Sequence, residues 1–151
     1  MNMFARLKSL VGRRGLRYPS GPEAMVLYAV GDIHGRSDCL RRAHACIDRD
    51  AGARAGRPAL EVYIGDYVDR GPDSKGVIDR LLARAAATPI IALRGNHEIV
   101  MESFLRGRLS FKAWRDLGGI ETVLSYGVDA RSLLQRGGSI RPRDLAEKMP
   151  V

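Results

Sequence analysis

Three apolar segments of this chain each end in a glycine that is followed by an acidic or an amide residue. The three blocks are Gly31-Asp32-Ile33-His34-Gly35, Gly65-Asp66-Tyr67-Val68-Asp69-Arg70-Gly71 and Gly95-Asn96-His97-Glu98. Short continuous apolar runs are typical of strands in a parallel sheet that is covered on both faces. The carboxyl ends of parallel strands share one edge of a sheet, where open α/β folds bind their ligands. We therefore expect the three blocks to meet at that edge.

Segments with helical periodicity alternate with the apolar runs at residues 25–30, 60–64 and 90–93. Apolar residues three and four positions apart predict three buried helical stripes: Cys39, Leu40, Ala43, Cys46 and Ile47; Val77, Ile78, Leu81, Leu82 and Ala85; and Ile99, Val100 and Phe104. Strands that alternate with helices imply right-handed crossovers. The predicted fold class is therefore α/β, with a β-α-β-α-β unit and a mainly parallel sheet flanked by helices. Beyond Gly107 the pattern weakens to short helical stretches at 111–117 and 120–126.

The formal net charge of +8 is unevenly distributed along the 151 residues. The basic residues that precede Glu23, the first acidic residue, are Arg6, Lys8, Arg13, Arg14 and Arg17. This predicts a flexible basic tail over residues 1–23 and one domain over residues 24–151. Weak contact with an anionic membrane surface is the alternative to a soluble tail, and the apolar residues at helical spacing that would allow it are Met3, Phe4, Leu7, Leu10 and Val11. The charges of the body are mixed, so we expect no specific nucleic-acid partner.

The sequence contains no stretch that is long and apolar enough to be a transmembrane segment, and nothing before Met25 resembles a secretory signal. Cys39 and Cys46 lie seven residues apart in a helical pattern rather than in a Cys-x-x-Cys array. This spacing favours two buried thiols over a disulfide or a zinc site. Both observations predict a cytoplasmic protein.

The donor types in the three blocks predict a metal site. Asp32 and His34 are separated by one residue in a loop bounded by glycines, so a carboxylate oxygen and an imidazole nitrogen can bind one cation. Asp66 can bridge to a second cation, for which Asn96 supplies a neutral oxygen. This mixture suits two divalent transition metal ions, manganese first and iron or zinc as alternatives, better than calcium. A water molecule that bridges two such ions loses a proton easily, and the resulting hydroxide can attack a phosphorus atom.

Three further roles complete the predicted chemistry. Arg70 can bind phosphate oxygens with its planar guanidinium, and Asn96 is expected beside it on the substrate phosphate. His97 can protonate the departing oxygen, with Asp69 to orient and charge the ring. His97-Glu98 also begins a zinc-protease helix motif, but Met101 occupies the position of the required second histidine, which excludes that function.

One histidine lies outside the blocks. His44 falls on the first predicted helix, where we expect a surface or half-buried residue without a metal.

The blocks resemble those of the calcineurin-like metallophosphoesterases, specifically the phosphoprotein phosphatase branch, over residues 25–126. This branch includes bacterial serine/threonine protein phosphatases and symmetrical diadenosine tetraphosphatases, and Arg36 after the first block is typical of bacterial members. The resemblance implies these roles: Asp32, His34 and Asp66 on the first metal, Asp66 and Asn96 on the second, His97 with Asp69 as the acid pair, and Arg70 on the phosphate.

The resemblance covers the N-terminal half of the family's domain. Members carry two further metal-binding histidines and a second phosphate-binding arginine downstream, whereas no histidine follows His97 in this sequence. The arginines that could replace the second one are Arg131, Arg136, Arg141 and Arg143. We therefore expect a truncated chain with an incomplete second metal site. We also expect an uncovered apolar sheet face that promotes self-association.

The expected function is metal-dependent hydrolysis of phosphomonoesters, as in a serine/threonine phosphoprotein phosphatase that acts on a phosphorylated protein. Two alternatives stay open. One is a symmetrical dinucleoside tetraphosphatase with a dinucleoside polyphosphate as substrate, and the other is a non-catalytic remnant that binds a metal or phosphate without turnover. The blocks do not separate the two substrates, because one hydrolytic mechanism serves both.

Overall fold

The computed structural model describes residues 25–54, 57–129 and 139–149, together with residues 133 and 137. The predicted basic tail at residues 1–23 lies outside the described residues, as do Arg131 and Arg136. The division into a tail and one domain therefore stays a prediction. None of the described helices is long and apolar enough to cross a lipid bilayer.

Three parallel strands form the sheet, in the spatial order β1-β2-β3. Strand β1 comprises Val26–Val30, strand β2 comprises Ala59–Tyr63, and strand β3 comprises Ile90–Ala92. Because all three strands run in one direction, their carboxyl ends lie at one edge of the sheet, as the sequence predicts.

Helix α1 (Ser37–Ala53) connects β1 to β2, and helix α2 (Ser74–Ala87) connects β2 to β3. The shorter helices that follow in the described part of the chain are α3 (Asn96–Leu105), α4 (Phe111–Arg115), α5 (Gly119–Ser125) and α6 (Pro142–Ala146). The α/β class and the β-α-β-α-β unit that the sequence predicts are confirmed.

The two crossover helices lie on the same face of the sheet. Leu40 of α1 and Val77 of α2 pack in one cluster with Tyr63 of β2, which is fully buried. Two consecutive right-handed crossovers that advance in one direction place both helices on one side. The buried residues of this layer are Ile33, Leu40, Tyr63, Tyr67, Val68, Val77 and Leu81.

The opposite face of the sheet is exposed within the described residues. Leu27 and Ile91 are 54% and 44% exposed, and Ile64 and Leu93, which follow β2 and β3, are 54% and 49% exposed. The prediction that both faces are covered is therefore wrong for this part of the chain, because both crossovers deliver their helices to one face. The predicted apolar face is present, and self-association through it stays a prediction.

Several side chains predicted to be buried on the helices are exposed: Cys39, Cys46, Leu82, Ala85 and Ile99. On α1 the buried residues are Leu40 and Ile47, each one position after a cysteine, and successive residues of a helix are turned by about 100°. Both thiols therefore point away from the sheet, so the prediction of buried thiols is wrong, and both are free.

A second core lies beyond Gly107, where the sequence pattern is weak. Its buried residues are Phe104, Phe111, Trp114, Val123, Tyr126, Val128, Leu133, Ile140 and Leu145. Met101 packs against this cluster and against the cluster that contains Tyr63 and Val77, so the two cores are continuous. Helix α4 lies within the predicted stretch 111–117, and α5 begins one residue before the predicted stretch 120–126 and ends one residue before its end.

A buried ion pair joins the sheet to α2. Glu61 is 1% exposed, and its carboxylate accepts hydrogen bonds from Arg84 Nη2 at 2.6 Å and from the Tyr63 hydroxyl at 2.5 Å. Burial acts to raise the pKa of Glu61, but the hydrogen bonds from Arg84 and Tyr63 outweigh it and the pKa is lowered. Half-buried His44 lies with Nε2 2.9 Å from the Tyr63 hydroxyl, and burial together with the charge of Arg84 lowers the pKa of His44.

Replacing Arg84 by alanine is expected to lower the free energy of unfolding by about 3–5 kcal/mol, because the buried carboxylate of Glu61 loses its cation. Urea unfolding followed by the fluorescence of the single tryptophan measures the loss. Since the pKa of Glu61 is lowered on folding, its contribution to stability is present above the ordinary glutamate pKa. That contribution is lost as the pH falls through the lowered value, and Arg84→Ala should abolish this pH dependence.

The matched control for this prediction is Arg94→Ala. The partner of Arg94, Glu102, is 33% exposed and keeps Arg106 as a second partner. This exposed pair should contribute less than about 1 kcal/mol. Equal losses in Arg84→Ala and Arg94→Ala would contradict a special role for the buried pair.

Candidate active site

The first two blocks are joined backbone to backbone at the carboxyl edge of the sheet. The N–H of His34 donates to the carbonyl of Asp66 at 2.8 Å, and the N–H of Gly35 donates to the carbonyl of Tyr67 at 2.8 Å. Gly71 lies so close to this loop that a Cβ there would overlap the carbonyl oxygen of His34. The glycines that bound the blocks therefore let the two loops touch.

Glu98 ties the second block to the third. Its Oε2 accepts from the backbone N–H of Asp66 at 2.8 Å and of Gly95 at 2.9 Å, while Oε1 accepts from Tyr67 at 2.8 Å and from Val68 at 3.3 Å. One carboxylate thus satisfies four backbone donors. The motif alone predicts no such role for Glu98, although a glutamate at the third position of a helix is a known capping signal.

Five of the predicted site residues have left-handed backbone conformations. The angle φ is 51° for Asp32, 41° for His34, 55° for Asp66, 71° for Asp69 and 66° for Arg70. No other residue except glycine has a positive φ in the described ranges. Such conformations cost of order 1–3 kcal/mol each and persist where surrounding contacts hold them. The backbone strain is therefore concentrated in residues to which the sequence assigns chemistry.

The predicted acid pair is in contact and buried. Nδ1 of His97 donates to Oδ2 of Asp69 at 2.8 Å, and the two residues are 3% and 0% exposed. The Asp69 carboxylate also accepts from the Thr122 hydroxyl at 2.7 Å and from the Trp114 indole N–H at 3.0 Å. The sequence predicts neither Trp114 nor Thr122 as a site residue, because they follow Asp69 by 45 and 53 positions in a segment of weak periodicity.

The guanidinium of Arg70 spans two imidazole rings. Nη1 donates to Nε2 of His34 at 3.1 Å, and Nη2 donates to Nε2 of His97 at 3.1 Å. His34 directs Nδ1 to the carbonyl oxygen of Val68 at 3.0 Å, so the proton lies on Nδ1 and Nε2 keeps its lone pair. Arg70 is exposed, and its planar pair of donors suits bidentate contact with a phosphate.

The side chains of Asp66 and Asn96 are in contact. In the orientation that satisfies both residues, the amide nitrogen of Asn96 donates to both carboxylate oxygens of Asp66 at 3.1 Å. A half-turn of the amide would present the Asn96 oxygen beside the same carboxylate, so both side chains can serve as ligands of one cation.

A family model of the calcineurin-like phosphoesterases matches residues 25–149. The chain belongs to this family. The predicted family resemblance is therefore confirmed.

Three bacterial relatives of this calcineurin-like phosphoesterase are named symmetrical bis(5'-nucleosyl)-tetraphosphatase. The protein from Acidovorax sp. (strain JS42) is 41% identical over 75 residues, which are 50% of this chain and 24% of the relative. The protein from Delftia acidovorans is 35% identical over 83 residues, or 55% and 27% of the two chains. The protein from Legionella pneumophila (strain Lens) is 35% identical over 89 residues, or 59% and 30%. The matched segments thus span 24–30% of the length of these relatives.

The calcineurin-like phosphoesterase family implies divalent metal ions, and the donor types present suit them. His34 offers the lone pair of Nε2, which accepts from Arg70 in the structure, and Asp66 offers its carboxylate. Asn96 offers its amide oxygen after a half-turn, and the carboxylate of Asp32 makes no hydrogen bond or ion pair with the rest of the described chain. No three His, Cys, Asp or Glu side chains converge into a closed metal-binding group in the described ranges. The convergence of Asp32 with the other donors stays a prediction.

The arginines considered as substitutes for a second phosphate ligand do not reach this site within the described residues. Arg141 and Arg143 lie at the start of α6, where Arg141 pairs with Asp144 at 3.0 Å and Arg143 lies 4.0 Å from the same carboxylate. Arg70 is therefore the phosphate-binding candidate that the described part of the chain supports.

Proposed function

We propose that this chain carries the phosphate-cleaving centre of a metal-dependent dinucleoside polyphosphate hydrolase. The observation that carries the proposal is the buried His97–Asp69 pair, with the guanidinium of Arg70 at Nε2, the other ring nitrogen of the histidine. Side chains promote cleavage of a phosphate ester or anhydride by supplying a proton donor and an anion-binding group at one place.

The proposed metal ligands are Asp32, His34 and Asp66 for one divalent ion, and Asp66 with Asn96 for a second. Manganese is the leading candidate, with iron or zinc as alternatives. Divalent ions in such a site polarise phosphoryl oxygens and ease the loss of a proton from water. His34 is prepared for its role because the carbonyl of Val68 accepts a hydrogen bond from Nδ1 and so keeps the lone pair on Nε2, which can bind a cation once Arg70 turns away.

Arg70 binds the phosphoryl oxygens of the substrate in this proposal, with Asn96 beside it. The two N–H groups that lie 3.1 Å from His34 and His97 can turn to two phosphate oxygens through a movement of an exposed side chain. The backbone N–H of Arg70 donates to the carbonyl of Gly118 at 3.0 Å, which fixes the point from which the side chain extends.

His97 donates the Nε2 proton to the departing oxygen as the bond from phosphorus to that oxygen breaks and a bond from phosphorus to a water oxygen forms. The Nδ1 proton stays on the hydrogen bond to Asp69, so the carboxylate stabilises the charged ring before it donates. In the structure Arg70 donates to Nε2 of His97, and that nitrogen can take up a proton only after Arg70 turns to the phosphate. Substrate binding and formation of the acid are thereby coupled.

The names of the matched relatives favour a dinucleoside polyphosphate over a phosphorylated protein as the substrate. Serine/threonine phosphatase activity, the first expectation from the sequence, has no comparable support. A protein that binds a cation or phosphate without turnover is the second candidate, because only Asp66 and Asn96 are proposed as ligands of the second ion.

Hydrolysis of diadenosine tetraphosphate by the full chain with manganese tests the proposal. Symmetrical cleavage yields two molecules of adenosine diphosphate, which chromatography separates from the products of asymmetric cleavage. We expect adenosine diphosphate as the only nucleotide product, in a reaction that a chelator stops. A phosphoserine peptide assayed in parallel provides the contrast. Phosphate release from the peptide alone would contradict the proposed substrate class, and manganese binding without turnover on either compound would favour the second candidate.

A further inference from the structure

We propose that Trp114 and Thr122 are positioning residues of the acid pair. Together they hold the Asp69 carboxylate in the orientation that keeps the Nδ1 proton of His97 in place and presents Nε2 to the substrate. The inference rests on the proposed function, in which His97 donates a proton. It assigns a role at the site to α4 and α5, which lie outside the three blocks.

Thr122 contacts Asp69 as both a donor and an acceptor. Its hydroxyl donates to Oδ1 of Asp69 at 2.7 Å, and the same oxygen accepts from the backbone N–H of Asp69 at 2.8 Å. The Ser74 hydroxyl lies 2.9 Å from the Thr122 hydroxyl. Because each hydroxyl has one proton, Ser74 donates to Thr122 and Thr122 donates to Asp69. The direction of the Thr122 proton is therefore fixed by its neighbours.

Trp114 supplies a second donor from α4. Its indole N–H lies 3.1 Å from Oδ1 and 3.0 Å from Oδ2 of Asp69, so both carboxylate oxygens share it. The ring is fully buried, and its centroid lies 5.1 Å from that of Phe104 and 6.1 Å from that of Phe111. A tryptophan packed in this way cannot turn its N–H elsewhere, so the direction of the donor is built into the core.

The burial of Asp69 makes these two donors necessary for its orientation. Asp69 is 0% exposed, so its carboxylate depends on the protein donors Thr122, Trp114 and His97. Without Thr122 and Trp114 the carboxylate can rotate, since a torsion of this type has broad minima. The Nδ1 proton of His97 would then lose a fixed acceptor, and the nitrogen that carries the proton would no longer be defined.

The segment between α4 and α5 also holds the backbone of the loop that carries Asp69 and Arg70. The carbonyl of Gly118, between α4 and α5, accepts from the N–H of Arg70 at 3.0 Å. A Cβ at Gly118, where φ is 99°, would lie 3.0 Å from the backbone nitrogen of Arg70. Asp69 and Arg70 both have left-handed conformations, which require such contacts to persist. Trp114, Gly118 and Thr122 therefore support the acid pair and the phosphate-binding arginine together.

Two substitutions remove the proposed donors. Thr122→Val removes the hydroxyl with little change in volume, and Thr122→Ser restores it. Trp114→Phe removes the indole N–H and keeps an aromatic ring of smaller volume, so a core truncation is needed as its control. The matched controls are Val123→Ala and Phe111→Leu, which take contacts from the same core and make no hydrogen bond to Asp69.

Nuclear magnetic resonance of the ¹⁵N-labelled full chain without metal measures the tautomer of the His97 ring and the exchange rate of its Nδ1 proton. The chain has three histidines, and His34→Asn with His44→Asn assigns their imidazole signals. In the wild type and in Thr122→Ser we expect a single His97 tautomer with a slowly exchanging Nδ1 proton. In Thr122→Val and Trp114→Phe we expect the loss of that slow exchange and a mixture of tautomers, while both core controls keep the wild-type signal.

Kinetics provide the second readout. Thr122→Val and Trp114→Phe should lower kcat about 10- to 100-fold with KM unchanged, the loss found when partners that orient a reacting group are removed. Thr122→Ser should recover kcat. If Thr122→Val does not fold, Trp114→Phe against Phe111→Leu makes the same comparison.

An unchanged His97 signal in both donor variants would overturn the proposal, and so would equal losses of kcat in the core controls. A wild-type chain without turnover would overturn the proposed function alone, because the resonance comparison needs neither metal nor substrate.

Discussion

Replacing His97 by alanine is expected to lower kcat by about 10²- to 10⁴-fold, because the departing oxygen then leaves without a proton. The size of the loss should depend on the leaving group. Phenolate is a poor leaving group, whereas p-nitrophenolate departs readily as an anion. We therefore expect a larger loss on phenyl phosphate than on p-nitrophenyl phosphate, measured by steady-state kinetics with manganese.

His97 is 3% exposed, so truncation to alanine also leaves a cavity beside Asp69. His97→Asn separates the two effects, since an asparagine amide can still donate to Asp69 but cannot transfer a proton at neutral pH. The asparagine variant should unfold at a higher urea concentration than the alanine variant and yet be equally inactive. His44→Asn, at the histidine outside the site, should keep the wild-type kcat. Equal losses on the two phosphate esters would contradict proton donation by His97.

The place of the site could be predicted from sequence because its signals are local. Each block follows an apolar run directly, and alternation of strands with helices determines that the strands are parallel. His97 and Asp69 come from different blocks, and their contact at 2.8 Å follows once both blocks lie at one edge. The glycines allow this, since Gly71 can approach the carbonyl of His34 only without a side chain.

Contacts between residues far apart in the sequence could not be predicted in the same way. Helix α4 has five residues, which is too few for an apolar stripe to show which face is buried. The contact of its Trp114 with Asp69 crosses 45 positions and depends on how α4 packs against α3 and α5. The exposure of Cys39 likewise depends on packing, because the neighbouring Leu40 determines which face of α1 meets the sheet.

The uncovered sheet face illustrates a second limit. The apolar run of β1 is compatible with helices on one face of the sheet or on both faces. The run alone therefore does not predict how many faces are covered. In this chain both crossovers place their helices on one face of the sheet, which leaves Leu27 and Ile91 on the other face exposed in the described part of the chain. Strand type is thus a local property, whereas the covering of a strand depends on the path of the chain around it.

Replacing Asp66 by asparagine is expected to weaken metal binding far more than it lowers the stability of the metal-free chain. Manganese affinity should fall about 100-fold or more, because a carboxylate proposed to bridge two ions becomes a neutral amide, and removing mere partners of metal ligands already costs about 10- to 100-fold. The metal-free chain should lose only about 0.5–1.5 kcal/mol of stability, since an asparagine oxygen can still accept from the backbone N–H of His97 while one hydrogen bond from the Asn96 amide is lost.

Urea unfolding with and without manganese measures both effects, because an ion that binds only the folded chain raises the free energy of unfolding according to its affinity. Asp79→Asn, at an exposed carboxylate that pairs with Lys75 on α2, is the matched control and should change neither quantity appreciably. Wild-type manganese affinity in Asp66→Asn would remove Asp66 from the ligand set. The backbone N–H and carbonyl of Asp66, which bind Glu98 and His34, are untouched by the substitution. A large loss of affinity with only a small loss of stability would therefore report on the side-chain carboxylate as a ligand, whereas a large loss of stability would mean that this carboxylate mainly supports the loop.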